Sequence, residues 1–150
     1  MSEHKVVVRW ARDRGDFEYR TYTRNHRWDF EGGAMVEASA APGFLGDEAK
    51  VDPEEALVAS LSSCHMLTLL AVAAKKRFVV DSYVDDAVGV MEQNAEGKLA
   101  VTRVVLRPRI VFSGERQPTG EQVDELHHIS HEECFIANSV KTEVVVEKPV

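Results

Sequence analysis

Asp52-Pro53-Glu54-Glu55-Ala56-Leu57-Val58-Ala59-Ser60-Leu61-Ser62-Ser63-Cys64 opens the stretch that decides the fold and leads into an uncharged run from Ala56 to Ala74. Asp52 can accept from the free N–H groups of a helix start. Pro53 suits the first helical position, where its missing N–H costs nothing, and Glu55 stands where a capping box wants a carboxylate. Lys75-Lys76-Arg77 then brings positive charge to the carbonyl end of the dipole. The pattern predicts a helix from Pro53 to about Arg77, roughly 37 Å long at 1.5 Å per residue. Being apolar nearly all round, it is expected to be buried on several sides. Its length raises the question of a membrane span. Ser60, Ser62, Ser63, His65, Thr68 and many alanines make it too polar for a lone one, so the reading is a core helix with no membrane partner.

On either side of this helix the pattern is one of strands. Val6 to Trp10 reads as a first strand and Asp13-Arg14-Gly15-Asp16 as a turn. Tyr19 to Phe30 alternates polar and aromatic residues as a second strand region, and Ala34 to Ala38 is a short third, followed by the loop Ala41 to Gly46. After the helix, Asp81 to Met91 and Leu99 to Phe112 read as two long strands joined at Asn94-Ala95-Glu96-Gly97. Thr119 caps a second helix running to about His131, which bends and resumes past Cys134, and Thr142 to Glu147 is a final strand. The expected class is α+β, a mainly antiparallel sheet with one long central helix. No repeat or linker divides the chain, so residues 1–150 are read as one domain.

The formal net charge of -7 disfavours a nucleic-acid partner, which wants a basic face. An apolar content of 44% argues for a packed core. Met1-Ser2-Glu3-His4-Lys5 has no signal-peptide pattern, so the expected location is cytoplasmic, where a disulfide is usually transient and catalytic.

Cys64 and Cys134 are the only cysteines, 70 residues apart. A free cysteine is most often a small buried hydrophobe. The polar neighbours Ser62, Ser63 and His65 and the presence of a second thiol favour redox chemistry instead. A thiolate that attacks a peroxide O–O bond becomes a sulfenic acid, and a second thiol condenses with it to a disulfide. Only the thiolate attacks, so a nearby cation must lower its pKa.

Pro53-Glu54-Glu55, the alanine-, serine- and leucine-rich stretch ending in Ser63-Cys64, and the segment Cys134-Phe135-Ile136-Ala137-Asn138-Ser139-Val140 resemble the OsmC/Ohr family of osmotically inducible and organic hydroperoxide resistance proteins. The resemblance covers nearly the whole chain. It implies a thiol-dependent peroxidase acting on organic hydroperoxides, built as an intertwined homodimer, with no bound cofactor and with electrons from a dithiol such as a dihydrolipoyl group or from small thiols. Carried over by position, Cys64 is the peroxidatic thiol, Cys134 the resolving thiol and Glu54 the carboxylate that orients an arginine. Glu54 and Cys64 lie roughly 15 Å apart along one helix, so Glu54 is expected to serve Cys64 of the partner subunit across a two-fold axis. The chain departs from the family pattern in having no arginine between Phe44 and Lys50, and in Phe135 where proline often follows the second cysteine. The activating arginine is therefore sought among Arg20, Arg24 and Arg27, with Arg24 preferred.

Two rival readings differ in class. One is a non-catalytic stress or binding protein on the same fold. The other is a metal-binding module using His127, His131 and Cys134, which share one face if the second helix is continuous through them.

Overall fold

The computed structural model describes residues 1–148. The sequence reading takes the chain as one domain; the structure groups it into two compact units, Met1–Ala56 and Leu57–Val150.

The first unit is an antiparallel meander of β1 (Val6–Arg9), β2 (His26–Phe30) and β3 (Met35–Ala38), followed by a 3-10 turn over Pro42–Phe44. Arg9 and Arg27 face each other across β1 and β2, and Asp29 lies between them, 2.7 and 2.8 Å from their Nε atoms. Those bonds hold its carboxyl below the usual range, Arg9 contributing most. The second strand starts at His26 rather than Tyr19. The amides of Thr21 and Tyr22 both donate to the Glu18 carbonyl, which closes a turn. Its aromatic residues build a cluster instead of a sheet face: Tyr22 packs on Phe17 at 5.1 Å and on Trp10 at 6.3 Å between ring centres.

Helix α1 spans Pro53–Lys75. Its start is the expected capping box: the Glu55 amide donates to Asp52 at 2.7 Å, and the Asp52 amide donates to the Glu55 carboxylate at 3.2 Å. Its end is a Schellman turn, in which the Phe78 amide donates to the Ala73 carbonyl and the Arg77 amide to that of Ala74. Arg77 takes the left-handed conformation there, with φ 63°. A non-glycine residue in that conformation costs roughly 1 kcal/mol.

The two long strands expected after α1 form one hairpin bent in the middle. β4 (Val79–Asp85) pairs with β7 (Pro108–Ser113), and β5 (Val88–Gln93) pairs with β6 (Leu99–Leu106). The register runs on from Asp85↔Pro108 to Val88↔Val105. Pro108 has no amide to donate, so the ladder breaks there. β8 (Glu143–Val146) adds to β6 in parallel, the one parallel pair among the named strands. α2 (Gly120–Glu133) supplies the crossover, and Thr119 and Gln122 close its N-terminal capping box.

α1 is long and apolar enough to cross a membrane by composition, but its Leu61, His65, Leu69 and Ala73 are buried, the three apolar ones in two clusters. Leu61 packs with Val104 and Leu106. Leu69 and Ala73 pack with Phe78 of the turn and Leu126 of α2. The helix approaches β5 so closely at Gly89 that a Cβ there would lie 2.5 Å from Val58 Cγ2. Burial on all sides is not what the single chain shows. Ala59, Ser63, Leu67 and Ala71 form an exposed stripe at helical spacing, Leu67 being 60% exposed.

Candidate active site at the paired thiols

The second unit brings Cys64 and Cys134 together. Cys64 is half-buried on α1, and Cys134 is buried at the C-terminal cap of α2. α2 stops because Cys134 turns extended, with φ -71° and ψ 111°, and the chain re-enters a short 3-10 turn at Ala137–Ser139. That turn aims the Ala137 amide at Cys134 Sγ, 3.4 Å away. Burial raises the Cys134 thiol above the ordinary cysteine value. The Ala137 amide acts the other way, and the adjacent Cys64 sulfur pushes it up again. Cys134 is thus held as a neutral thiol beside Cys64, an environment that suits a late nucleophile better than the first attacker.

Next to the thiols lies a histidine pair the sequence did not disclose. His65 is 1% exposed. Its Nε2 lies 3.0 Å from His127 Nδ1, and the two rings stack with an interplanar angle of 12°. His65 Nδ1 is buried with no partner. Burial, then the charges of His127 and His131, push the His65 pKa down to about 4, and burial also lowers that of His127. Both imidazoles are therefore neutral at pH 7, and one ring N–H can donate to the unprotonated nitrogen of the other. The only signal in the sequence was a histidine on the stripe of α1 that faces the core.

On the other side of the same helix turn, Asp85 accepts from Ser62 Oγ at 2.5 Å and from the Arg107 amide at 2.6 Å. It ties α1 to the bend of the hairpin.

The metal reading is corrected by this arrangement. His127 turns its ring to His65, and Cys134 has left the helix. Among the described residues no group of three His, Cys, Asp or Glu side chains is placed to hold a metal ion.

The remaining expected site residues belong to the first unit. Glu54 is half-buried on the opening turn of α1. Arg24 donates to the carbonyls of Tyr22 and Tyr19, and its guanidinium lies 3.7 Å from the Tyr22 ring centre. It lines an apolar cavity of about 370 Å³ with Trp10, Phe17, Tyr22 and His26. Of the other two arginines considered, Arg27 is committed to Asp29 and Arg20 is exposed in the turn. Among the described residues no ion pair joins Arg24 to Glu54.

Comparison with known proteins places the chain. Residues 46–148 match the family model described as OsmC-like protein. An OsmC-like protein of unknown function from Vibrio cholerae is 54% identical, covers 99% of this chain and 100% of its own, and superposes with a TM-score of 0.96. Two organic hydroperoxide resistance proteins share the fold at low identity. The one from Elizabethkingia anophelis is 17% identical with a TM-score of 0.72, over 99% of this chain and 94% of that one. OhrB of Bacillus subtilis is 16% identical with a TM-score of 0.67, over 98% of each. No curated protein sequence matches. From the family model over residues 46–148 and the Vibrio cholerae relative, this chain belongs to the OsmC-like protein family.

Proposed function

We propose that the protein is a thiol peroxidase that reduces organic hydroperoxides through Cys64, with Cys134 resolving. The observation that carries this reading is the adjacency of the only two thiols in the chain, one half-buried and the other buried and held neutral. The family supports a redox role, and two solved relatives are named for organic hydroperoxide resistance. In the first step the Cys64 thiolate forms an S–O bond and the O–O bond breaks. The sulfur is oxidised by two electrons to the sulfenic acid, and the alkoxide takes a proton and leaves as an alcohol. In the second, Cys134 forms an S–S bond with Cys64 and water leaves. A dithiol or two small thiols return the two electrons. Arg24 is assigned the activating charge, and Glu54 the carboxylate that orients it.

The working form is a homodimer in a reducing, cytoplasmic setting. The exposed stripe Ala59, Ser63, Leu67 and Ala71 on an otherwise apolar helix supports a second copy packed along α1. One equivalent of cumene hydroperoxide added to reduced protein tests the chemistry. A Cys64–Cys134 disulfide is expected by mass spectrometry within seconds, and none in Cys64→Ser. Two thiols that survive the treatment would defeat the proposal and leave a non-catalytic binding protein on this fold.

A further inference from the structure

At the carbonyl end of α1 the fold gathers positive charge, in a chain whose formal net charge is -7. Lys75, Lys76, Arg77 and Arg116 line a cleft of about 240 Å³ with Phe78, Gln122 and Glu125. Lys75 ends α1, Arg77 occupies the turn after it, Arg116 comes from the segment between β7 and α2, and Gln122 and Glu125 stand on the first turns of α2. One carboxylate faces four cations, and Lys76 already engages it at 3.1 Å. Among the described residues Lys75, Arg77 and Arg116 have no carboxylate within ion-pair reach. In the same unit Lys76, Arg103, Arg107, Arg109 and Lys148 have one, while Lys98 and Lys141 stand apart from the cleft without one.

Helix polarity accounts for Lys75 and Lys76, whose charges complement the carbonyl end of α1. It favours the charge of Arg77 as well, but not an arginine at a position where glycine is preferred, and it does not account for Arg116. Arg77 sits at φ 63°, at the helix position where glycine is favoured. Arg116 is laid over the Phe78 ring, 4.9 Å from its centre, which fixes the guanidinium at the cleft. Like charges brought together on a costly backbone repel one another unless an anion lies between them.

We propose that this cleft binds a phosphate-bearing anion, a phosphate monoester or a diphosphate. Two planar guanidinium groups match phosphate oxygens in pairs, and the two lysines add point charges. A carboxylate would balance only one of the three uncompensated cations, whereas a phosphate monoester carries close to two negative charges. The α2 capping box uses only Oε1 of Gln122, so its amide N–H groups remain to donate. The Phe78 ring is covered by Arg116, which leaves little for an apolar body to contact. The cleft lies about 16 Å along α1 from Cys64, and the proposal is independent of the thiol chemistry.

Such a phosphate could arrive as a free diphosphate or on an anionic lipid headgroup. The test is calorimetric titration of the full chain with pyrophosphate at low salt, beside flotation on phosphatidic acid vesicles with phosphatidylcholine vesicles as control. One saturable pyrophosphate site per chain is expected, weakened roughly tenfold by Arg116→Gln and by Arg77→Gly, each of which removes a paired donor. Arg77→Gly relieves the left-handed turn and should raise the melting temperature, so its weaker binding could not come from unfolding. Binding to phosphatidic acid alone, lost in the same variants, would support the site and assign the headgroup as its source. No saturable binding to either probe, or binding indifferent to both substitutions, would overturn the proposal.

Discussion

His65 is the one polar side chain among the four buried positions of α1, and its protonation has a calculable effect. Its folded pKa, about 4, lies below the ordinary 6.5, so between those values the unfolded chain binds the extra proton. Stability contributed by neutral His65 is therefore intact above pH 6.5 and is lost as the pH falls towards 4. A pKa shift of this size predicts a loss of about 2 kcal/mol between pH 7 and pH 5. Urea denaturation at the two pH values should show it, and His65→Leu should flatten the difference. An equal slope in the variant would mean that other groups carry the acid sensitivity. At the thiols, Cys134→Ser removes the resolving sulfur. Under the proposed chemistry, peroxide should then leave a sulfenic acid on Cys64 that reacts with dimedone in near-stoichiometric yield, where the native chain gives little. Under the proposed chemistry, Arg24→Gln should slow alkylation of Cys64 at neutral pH by roughly tenfold, because the cation assigned to favour the thiolate is removed. An unchanged rate would free Arg24 of that role.

The two ends of α1 make opposite predictions. At the start, Asp52 satisfies the Glu55 amide, and Asp52→Ala should destabilise the chain by about 1 kcal/mol in chemical denaturation. At the end, Arg77→Gly should stabilise it by a similar amount, because glycine adopts the left-handed turn without penalty. The box that starts α1 and the Thr119 cap of α2 were legible beforehand, since capping is decided by residues three or four apart, whereas the end of α1 was read from its charges alone, at about Arg77 rather than Lys75. The bend in the hairpin was not. Pro108 marked it, but only the pairing of Asp85 with both Ser62 and Arg107 shows why the break falls there. Tyr19 to Asn25 misled for a related reason: alternating aromatics make a sheet face only if a neighbouring strand arrives to pair, and here the Glu18 carbonyl took the amides first.

At the scale of the molecule, the exposed stripe of α1 is the feature a single chain leaves unexplained. If a second copy covers it, Leu67→Glu should convert a dimer to a monomer in size-exclusion chromatography with light scattering, while the Asp52–Glu55 cap and the fold of the chain persist by circular dichroism. A native chain that is monomeric at micromolar concentration would count against the dimer. The α+β class, the starts of both helices, the family and the two thiols could all be read from the chain alone, because periodicity, caps and a motif are local or nearly so. It took the packed chain to show that the thiols are neighbours, that His65 meets His127, and that Arg116 joins Lys75, Lys76 and Arg77 in one cleft. Those are contacts between residues tens of positions apart, and no local pattern encodes which side chains meet once α1, α2 and the hairpin pack together.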